Sequence, residues 1–456
     1  MFKNGFTKFN DKIETIIKSA KESMNDLSIP IRTKKIAITG LSRSGKTIFI
    51  TSLIEQLLHQ KKIDFVTSKH NTFKVSLLPP KPSVKRFDYY TFSKDIKINH
   101  KWPDGTDSIS SITLEFESKS SFPMQGNSKF RIELIDYPGE WILDLALLQM
   151  SFDEWSKKVI DWLKSIDEEL AIDYLKEIEE LTDKSFGKEI EEKIHFKYAN
   201  MIMFFKKKSY SNLTPGRFLM PADLADDPLL IFAPIYKSNS PLYHAFKERY
   251  ETYLNDVVKD IQLEYFKGFD RQIVLIDVVK ALQNGPKCYE DMKTGLRSML
   301  SIYEHKDKNF ILQWFTPSIK KVTFVATKAD LVASSQHNNY LSLLNEMVEG
   351  IRKDLDINHI KTDTFVVASV KSTQTVMGKY NGKTLSCVRG IDAKENRLVE
   401  IYPGEMPSSF PSPDQWDTEN YAYEEFLPPK KSYKDDEPFD HINMDRVIES
   451  IIGDLL

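Results

Sequence analysis

Gly40-Leu-Ser-Arg-Ser-Gly-Lys-Thr47 carries the chemistry that is most specific in this chain. A glycine, four residues, then Gly45-Lys46-Thr47 is the spacing of a phosphate-binding loop. Gly40 and Gly45 let the backbone curl so that successive N–H groups, among them those of Ser42, Arg43 and Ser44, point at phosphate oxygens. A helix opening at Thr47 and Ile48 adds its positive N-terminal end. Lys46 is placed for the β- and γ-phosphates, and the Thr47 hydroxyl for Mg2+. A ligand-free glycine turn is the alternative, and the flanks argue against it. Ile36 and Ile38 precede the loop as a buried strand, and Ile48, Phe49, Leu53, Ile54, Leu57 and Leu58 follow at helical spacing.

Two further motifs sit where apolar strands end. Phe130–Asp136 alternates and delivers Asp136-Tyr-Pro-Gly139. At the end of an apolar strand downstream of the phosphate loop, an Asp followed by Gly three residues on is where nucleotide switches hold Mg2+ through water and sense the γ-phosphate with a glycine N–H. The alternative is an ordinary strand-to-turn Asp. The run from Lys321 to Ala326 ends in Thr327-Lys-Ala-Asp330. A carboxylate there accepts from guanine N1–H and the 2-amino group together, a donor pair that adenine lacks. The Lys328 stem can lie along the base. One strand later, Ser369-Val370-Lys371 is placed to offer a backbone N–H to guanine O6. GTP and GDP are therefore the expected ligands, with Mg2+ as cofactor. Thr106, between the loop and the Asp136 strand, is the expected switch threonine on Mg2+ and the γ-phosphate, with Thr91 and Thr113 competing.

The elements that position these residues form a regular pattern. Short apolar strands alternate with helical stretches, with chemistry at strand C-termini, which argues an α/β fold with a doubly wound, mainly parallel sheet. From residue 141 to about 267 the chain reads as mostly helical, an insertion planted after the switch glycine. The polar, Pro-containing region from the first helix to about Asn99 reads as loop. Leu385–Arg389 and Arg397–Tyr402 read as a hairpin, and Val447, Ile448, Ile451, Ile452 and Leu455 as a closing amphipathic helix. The expected division is an amphipathic helix over 1–30, core over 31–140 and 268–375, helical insertion over 141–267, and an appendage over 376–456.

Composition narrows the function classes. The 456 residues exceed one ordinary core. A net charge of -3 gives no electrostatic case for nucleic acid. Cys288 and Cys387 are far apart with no metal-ligand spacing, which suits a reducing cytoplasm. No apolar run reaches membrane-spanning length and no signal peptide is visible. Phe2, Phe6, Phe9, Ile13, Ile16 and Ile17 recur at helical spacing among lysines. That stripe suits either packing on the protein itself or peripheral contact with a membrane.

The chain resembles the YcjX-like P-loop proteins of bacteria over nearly its whole length. The resemblance rests on the phosphate loop, Trp102-Pro103 with Thr106, Asp136-Tyr-Pro-Gly-Glu-Trp141 and Pro215-Gly-Arg-Phe-Leu219. It extends to Gly285-Pro286, Val388-Arg-Gly390, Tyr402-Pro-Gly-Glu405 and Asp445-Arg446 with Gly453-Asp454. It implies a Ras-like GTPase core carrying a helical domain, in a cytoplasmic protein associated with stress responses, with an effector still to be identified.

Hydrolysis raises two residues for weighing. Most GTPases place Gln after the switch glycine to orient water; here Glu140 stands there, either positioning water or turned outward. Arg43 lies inside the loop, as in guanylate-binding and atlastin-like GTPases, where it serves as an internal arginine finger, often ordered by dimerisation. Lys46, Arg43, Glu140 and Thr106 are the expected catalytic set; Thr47, Thr106 and Asp136 the expected metal set. A dynamin-like, membrane-acting GTPase dimer is the competing reading, and a P-loop kinase or ATPase the third.

Overall fold

A computed structural model describes residues 31–41, 43–63, 73–80, 84–105, 108–118, 128–182, 184–261, 268–301, 319–380, 382–418 and 421–455. The N-terminal stripe, Ser42 and Thr106 lie outside the described residues.

The strands are β1 (Arg32–Gly40), β2 (Phe73–Leu77), β3 (Lys85–Arg86), β4 (Ser110–Ser118), β5 (Ser128–Asp136), β6 (Arg271–Ile276), β7 (Lys321–Ala326) and β8 (Lys361–Val366). They form one sheet ordered β2-β4-β5-β1-β6-β7-β8, with β3 beside β4. β5, β1, β6, β7 and β8 run parallel, β4 pairs antiparallel with β5, and β2 pairs antiparallel with β4 at the edge. That is the Ras-like strand order with one further edge strand, and it makes the core an α/β P-loop fold. Alternation along the strands splits the core between the two faces. Ile36, Ile38, Leu134, Ile273 and Leu275 point to one side; Ala37, Ile135, Val274 and Ile276 point to the other.

The first face is covered by α1 (Lys46–His59), which buries Phe49, Ile50, Leu53, Ile54 and Leu57 against it. The region read as loop up to Asn99 holds more structure than expected. Phe73, Val75 and Leu77 pair with β4, and α2 (Tyr89–Lys97) follows. Prolines at 79, 80 and 82 bound the short strand closely and hide its alternation. α2 is capped by Asp88, whose carboxylate accepts from the Thr91 N–H, and tied to α1 through buried Glu55, which accepts from Tyr89 and Ser93 and pairs with Lys97.

The other face meets the helices between β5 and β6. The longer of these are α3 (Gly139–Leu147), α4 (Phe152–Lys164), α5 (Glu169–Glu179), α6 (Lys188–Lys207) and α7 (Pro241–Thr252). Their apolar sides share one continuous core with Ala37, Ile135, Val274 and Phe324 of the sheet. Aromatic rings fill the centre: Trp155 stacks on Tyr250 and meets Tyr198 and Phe232 edge-on. α8 (Val278–Gln283), α9 (Pro286–Leu300) and α10 (His337–Ile357) complete the core segments.

After β8 the chain forms a second, antiparallel sheet ordered β11-β10-β9, from β9 (Gln374–Tyr380), β10 (Lys383–Ile391) and β11 (Leu398–Ile401). The β10–β11 pair is the expected hairpin, and β9 is an extra strand. α11 (Met444–Ile452) then packs its apolar stripe on the α1 face of the main sheet.

Candidate functional site: a two-part groove at the sheet edge

Parallel pairing brings the motif-bearing strand ends to one edge. Ile38 sits beside Asp136 and Ile276 beside Ala326, so the residues that follow β1, β5, β7 and β8 emerge together. This is the carboxyl edge at which open α/β sheets hold their ligands.

The phosphate loop leaves β1 at Gly40 and turns through Arg43 (φ 64°) and Gly45 (φ 80°) into α1. Gly40 has no room for a side chain, since a Cβ there would stand 2.2 Å from Ser44 Oγ. Gly45 precedes the helix with no side-chain cap, leaving the first N–H groups facing the cavity. That cavity is lined by Gly40, Ser44, Gly45, Lys46, Thr47 and Ile48 of the loop, by Pro103 and Gly105, and by Glu140, Lys206 and Met220. Lys46 Nζ donates to the Tyr137 carbonyl at 2.8 Å and lies 3.4 Å from Asp136 Oδ1, joining the loop to the Asp136–Gly139 segment. Gly139 is pressed against the loop: a Cβ there would fall 2.0 Å from the Gly40 carbonyl oxygen.

Glu140 points inward. Its carboxylate meets Lys206 Nζ at 3.0 Å, with Lys206 arriving from the last turn of α6. Burial works against charge on Glu140, but Lys206 and then Lys46 outweigh it and hold its pKa below the ordinary value. The helices behind are fixed by Asp144, which accepts from the N–H groups of Gly216 (2.7 Å) and Arg217 (3.3 Å) and from the Tyr253 hydroxyl (2.6 Å). The Arg217 guanidinium lies 3.6 Å over the Trp141 ring. Thus the Pro215–Leu219 and Gly139–Trp141 motifs, distant in sequence, clasp each other.

The second cavity adjoins the first and shares Arg43, Gly45, Ile48, Pro103 and Gly105 with it. Thr327, Lys328, Asp330, Ser369, Val370 and Ser372 line it, with Trp102, Glu425 and Phe426 closing the far side. Asp330 is buried and takes hydrogen bonds from the Ser372 N–H (2.9 Å) and hydroxyl, while Thr373 donates to its carbonyl. Burial raises the Asp330 pKa, and the Ser372 hydrogen bonds oppose that rise. Lys328 adopts φ 61° and donates to Asp277 Oδ2 at 2.6 Å. Burial would lower the Lys328 pKa, and Asp277 more than offsets this, so the ammonium is retained. The Ser369 carbonyl accepts from Ser52 of α1. Lys371 stands apart: its N–H donates to the Asp440 carbonyl at 2.7 Å and its side chain lines a separate basic cavity with Lys61, Lys62 and Arg446.

Exposed Arg43 lies at the junction of the two cavities. Thr47 and Asp136, both buried, supply hard oxygen donors. Among the described residues no group of three or more His, Cys, Asp or Glu could hold a metal by itself. That donor set fits Mg2+, which binds through few protein oxygens and completes its shell with phosphates and water.

Sequence reasoning missed Asp277, Ser372, Lys206, Glu425 and Phe426. Asp277 was the accessible one, since it directly follows a buried strand, β6, much as Asp136 ends β5. The others reach the groove from loops or from far along the chain.

A curated relative from Escherichia coli (strain K12), named "Ras-like GTPase YcjX", is 30% identical over 449 residues, covering 93% of this chain and 96% of its own. A relative of the same name from Shewanella oneidensis is 29% identical over 465 residues, covering 93% and 95%. The YcjX-like family, DUF463, matches residues 34–456, and the chain belongs to that family.

Proposed function

We propose that this protein binds GTP with Mg2+, hydrolyses it to GDP and phosphate, and acts as a nucleotide-dependent switch in a cytoplasmic stress response. The observation that carries the reading is the two-part groove: a phosphate loop joined to a base cavity in which Ser372 holds the Asp330 carboxylate. The relatives' printed name, Ras-like GTPase, supports the same activity. Two buried free thiols, Cys288 and Cys387, suit a reducing compartment, and no helix among the described residues is long and apolar enough to cross a membrane.

In this reading the loop N–H groups and Lys46 hold the β- and γ-phosphates, Lys46 exchanging the Tyr137 carbonyl for a charged partner. Thr47, and Asp136 through water, would hold Mg2+, which when bound supplies positive charge to the phosphate oxygens. Gly139 N–H reports the γ-phosphate, and because Gly139 already abuts Gly40, a new contact there moves α3. Asp330 selects guanine, and the Lys328 stem, oriented by Asp277, covers the base. Arg43 is free to reach the phosphates from the junction of the cavities.

Asp330→Asn tests the base assignment. Asn offers an amide N–H where guanine presents donors, so GTP affinity should fall about 100-fold or more while xanthosine triphosphate, with an acceptor at that position, gains. Equal binding of ATP and GTP by the wild-type protein would refute the assignment.

A further inference from the structure

Resting on that GTPase reading, we propose that Lys206, borne by the inserted helices, is a catalytic cation. Its ammonium, held over the phosphate loop by Glu140, contacts the terminal phosphate of bound GTP and neutralises the charge that develops on hydrolysis.

Lys206 lines the same cavity as Gly40, Lys46 and Thr47 although it comes from the C-terminal turn of α6. It is only 23% exposed at its side chain, and Glu140, 11% exposed, meets it at 3.0 Å. Glu140 directly follows Gly139, whose backbone abuts Gly40. The ion pair therefore stands one residue from the point at which switch and phosphate loop touch. Without Lys206 a carboxylate in this position would repel the γ-phosphate; with it, the pair presents a positioned ammonium. Hydrolysis spreads negative charge over the phosphoryl oxygens as water adds and the bond to GDP breaks, and a fixed cation in a sheltered cavity stabilises that charge. Lys206 gives up no proton in the step. Glu140 is then a positioning residue rather than the general base, because its oxygen is committed to the ammonium. The arrangement also explains why the helices are inserted directly behind the switch glycine: they return a charge to the site.

The test is single-turnover GTP hydrolysis by the full-length protein, with affinities for GDP and for a non-hydrolysable GTP analogue measured alongside. Lys206→Ala should slow hydrolysis about 100-fold or more and weaken the analogue, yet leave GDP affinity within about 2-fold, since GDP lacks the phosphate that is contacted. Lys206→Arg should recover part of the rate. An unchanged GDP affinity also shows that the variant is folded. The decisive comparison is made in Glu140→Gln. If Lys206 serves only to neutralise Glu140, its removal there is harmless; if it contacts phosphate, the rate falls again. Wild-type protein that hydrolyses GTP while Lys206→Ala keeps its rate within about 2-fold overturns this proposal alone. Wild-type protein that neither binds nor hydrolyses GTP overturns the GTPase reading, and Lys206's role with it.

Discussion

Asp144 links α3 to Gly216, Arg217 and Tyr253, and its removal gives a prediction that can be worked from the structure. The carboxylate is fully buried and serves the N–H groups of Gly216 and Arg217 and the Tyr253 hydroxyl. Asp144→Ala strands these donors, each at about 1–3 kcal/mol, a gross loss of roughly 3–9 kcal/mol. Against this stands the relief of a buried charge. Burial lifts the Asp144 pKa from 3.8 to about 6 despite the donors, equivalent to about 3 kcal/mol against the ionised form. The net expectation at neutral pH is a loss of about 3 kcal/mol, measured by urea unfolding. The pH dependence has a definite sign. Because the folded-state pKa lies above the unfolded one, the folded protein takes up the proton first, and stability from this group rises as pH falls through 6 and levels off below about 4. Between pH 7 and pH 5 the wild type should therefore gain about 1–2 kcal/mol relative to Asp144→Asn, which has no proton to take up. Asp291, whose pKa burial also raises to about 6, acts in the same direction in both proteins and cancels in the comparison. A stability difference that does not vary with pH, or an Asp144→Ala loss below about 1 kcal/mol, would refute the account.

Other substitutions probe the backbone contacts and the loop arginine. Gly139→Ala places a Cβ 2.0 Å from the Gly40 carbonyl oxygen, and because the obstacle is backbone the two segments must part. The expected result is a loss of about 1–3 kcal/mol in unfolding experiments, together with slower GTP turnover. Gly216→Ala meets the Glu140 carbonyl oxygen at 2.1 Å and should likewise slow turnover from outside the nucleotide groove, which kinetic assays with saturating GTP would show. Arg43→Ala should lower the turnover rate much more than GTP affinity; equal losses of both would remove Arg43 as an internal finger.

The motifs and their order were legible in the sequence because each is written in consecutive residues at the end of a short apolar strand. Ile36–Gly40, Phe130–Asp136 and Lys321–Ala326 declare themselves this way, and in the sheet β1 pairs parallel with β5 and β7 with β6. β2 escaped because it is five residues long and followed by prolines; β9 because Gln374–Tyr380 alternates weakly and is completed by pairing with β10. The groove's missing residues were hidden for a different reason. Lys206 looks like any surface lysine on a charged helix until α6 is folded back beside Glu140. Ser372 looks like a loop serine until its N–H and hydroxyl close on Asp330. Tertiary contact, not local pattern, gives such residues their roles.

The far wall of the base cavity has a consequence for how the protein is made. Glu425 and Phe426 line that wall, and the Trp102 indole N–H donates to the Phe426 carbonyl at 2.7 Å. Farther on, Gln56 of α1 donates to the Phe439 carbonyl, and α11 seals the face of the sheet on which α1 lies. A ribosome delivers the phosphate loop before Glu425, Phe426 and Phe439. A nascent chain that has emerged only through Ser372 thus holds the loop and the Thr327–Asp330 segment without this wall, and the second cavity closes only after the segment through Phe426 has been made.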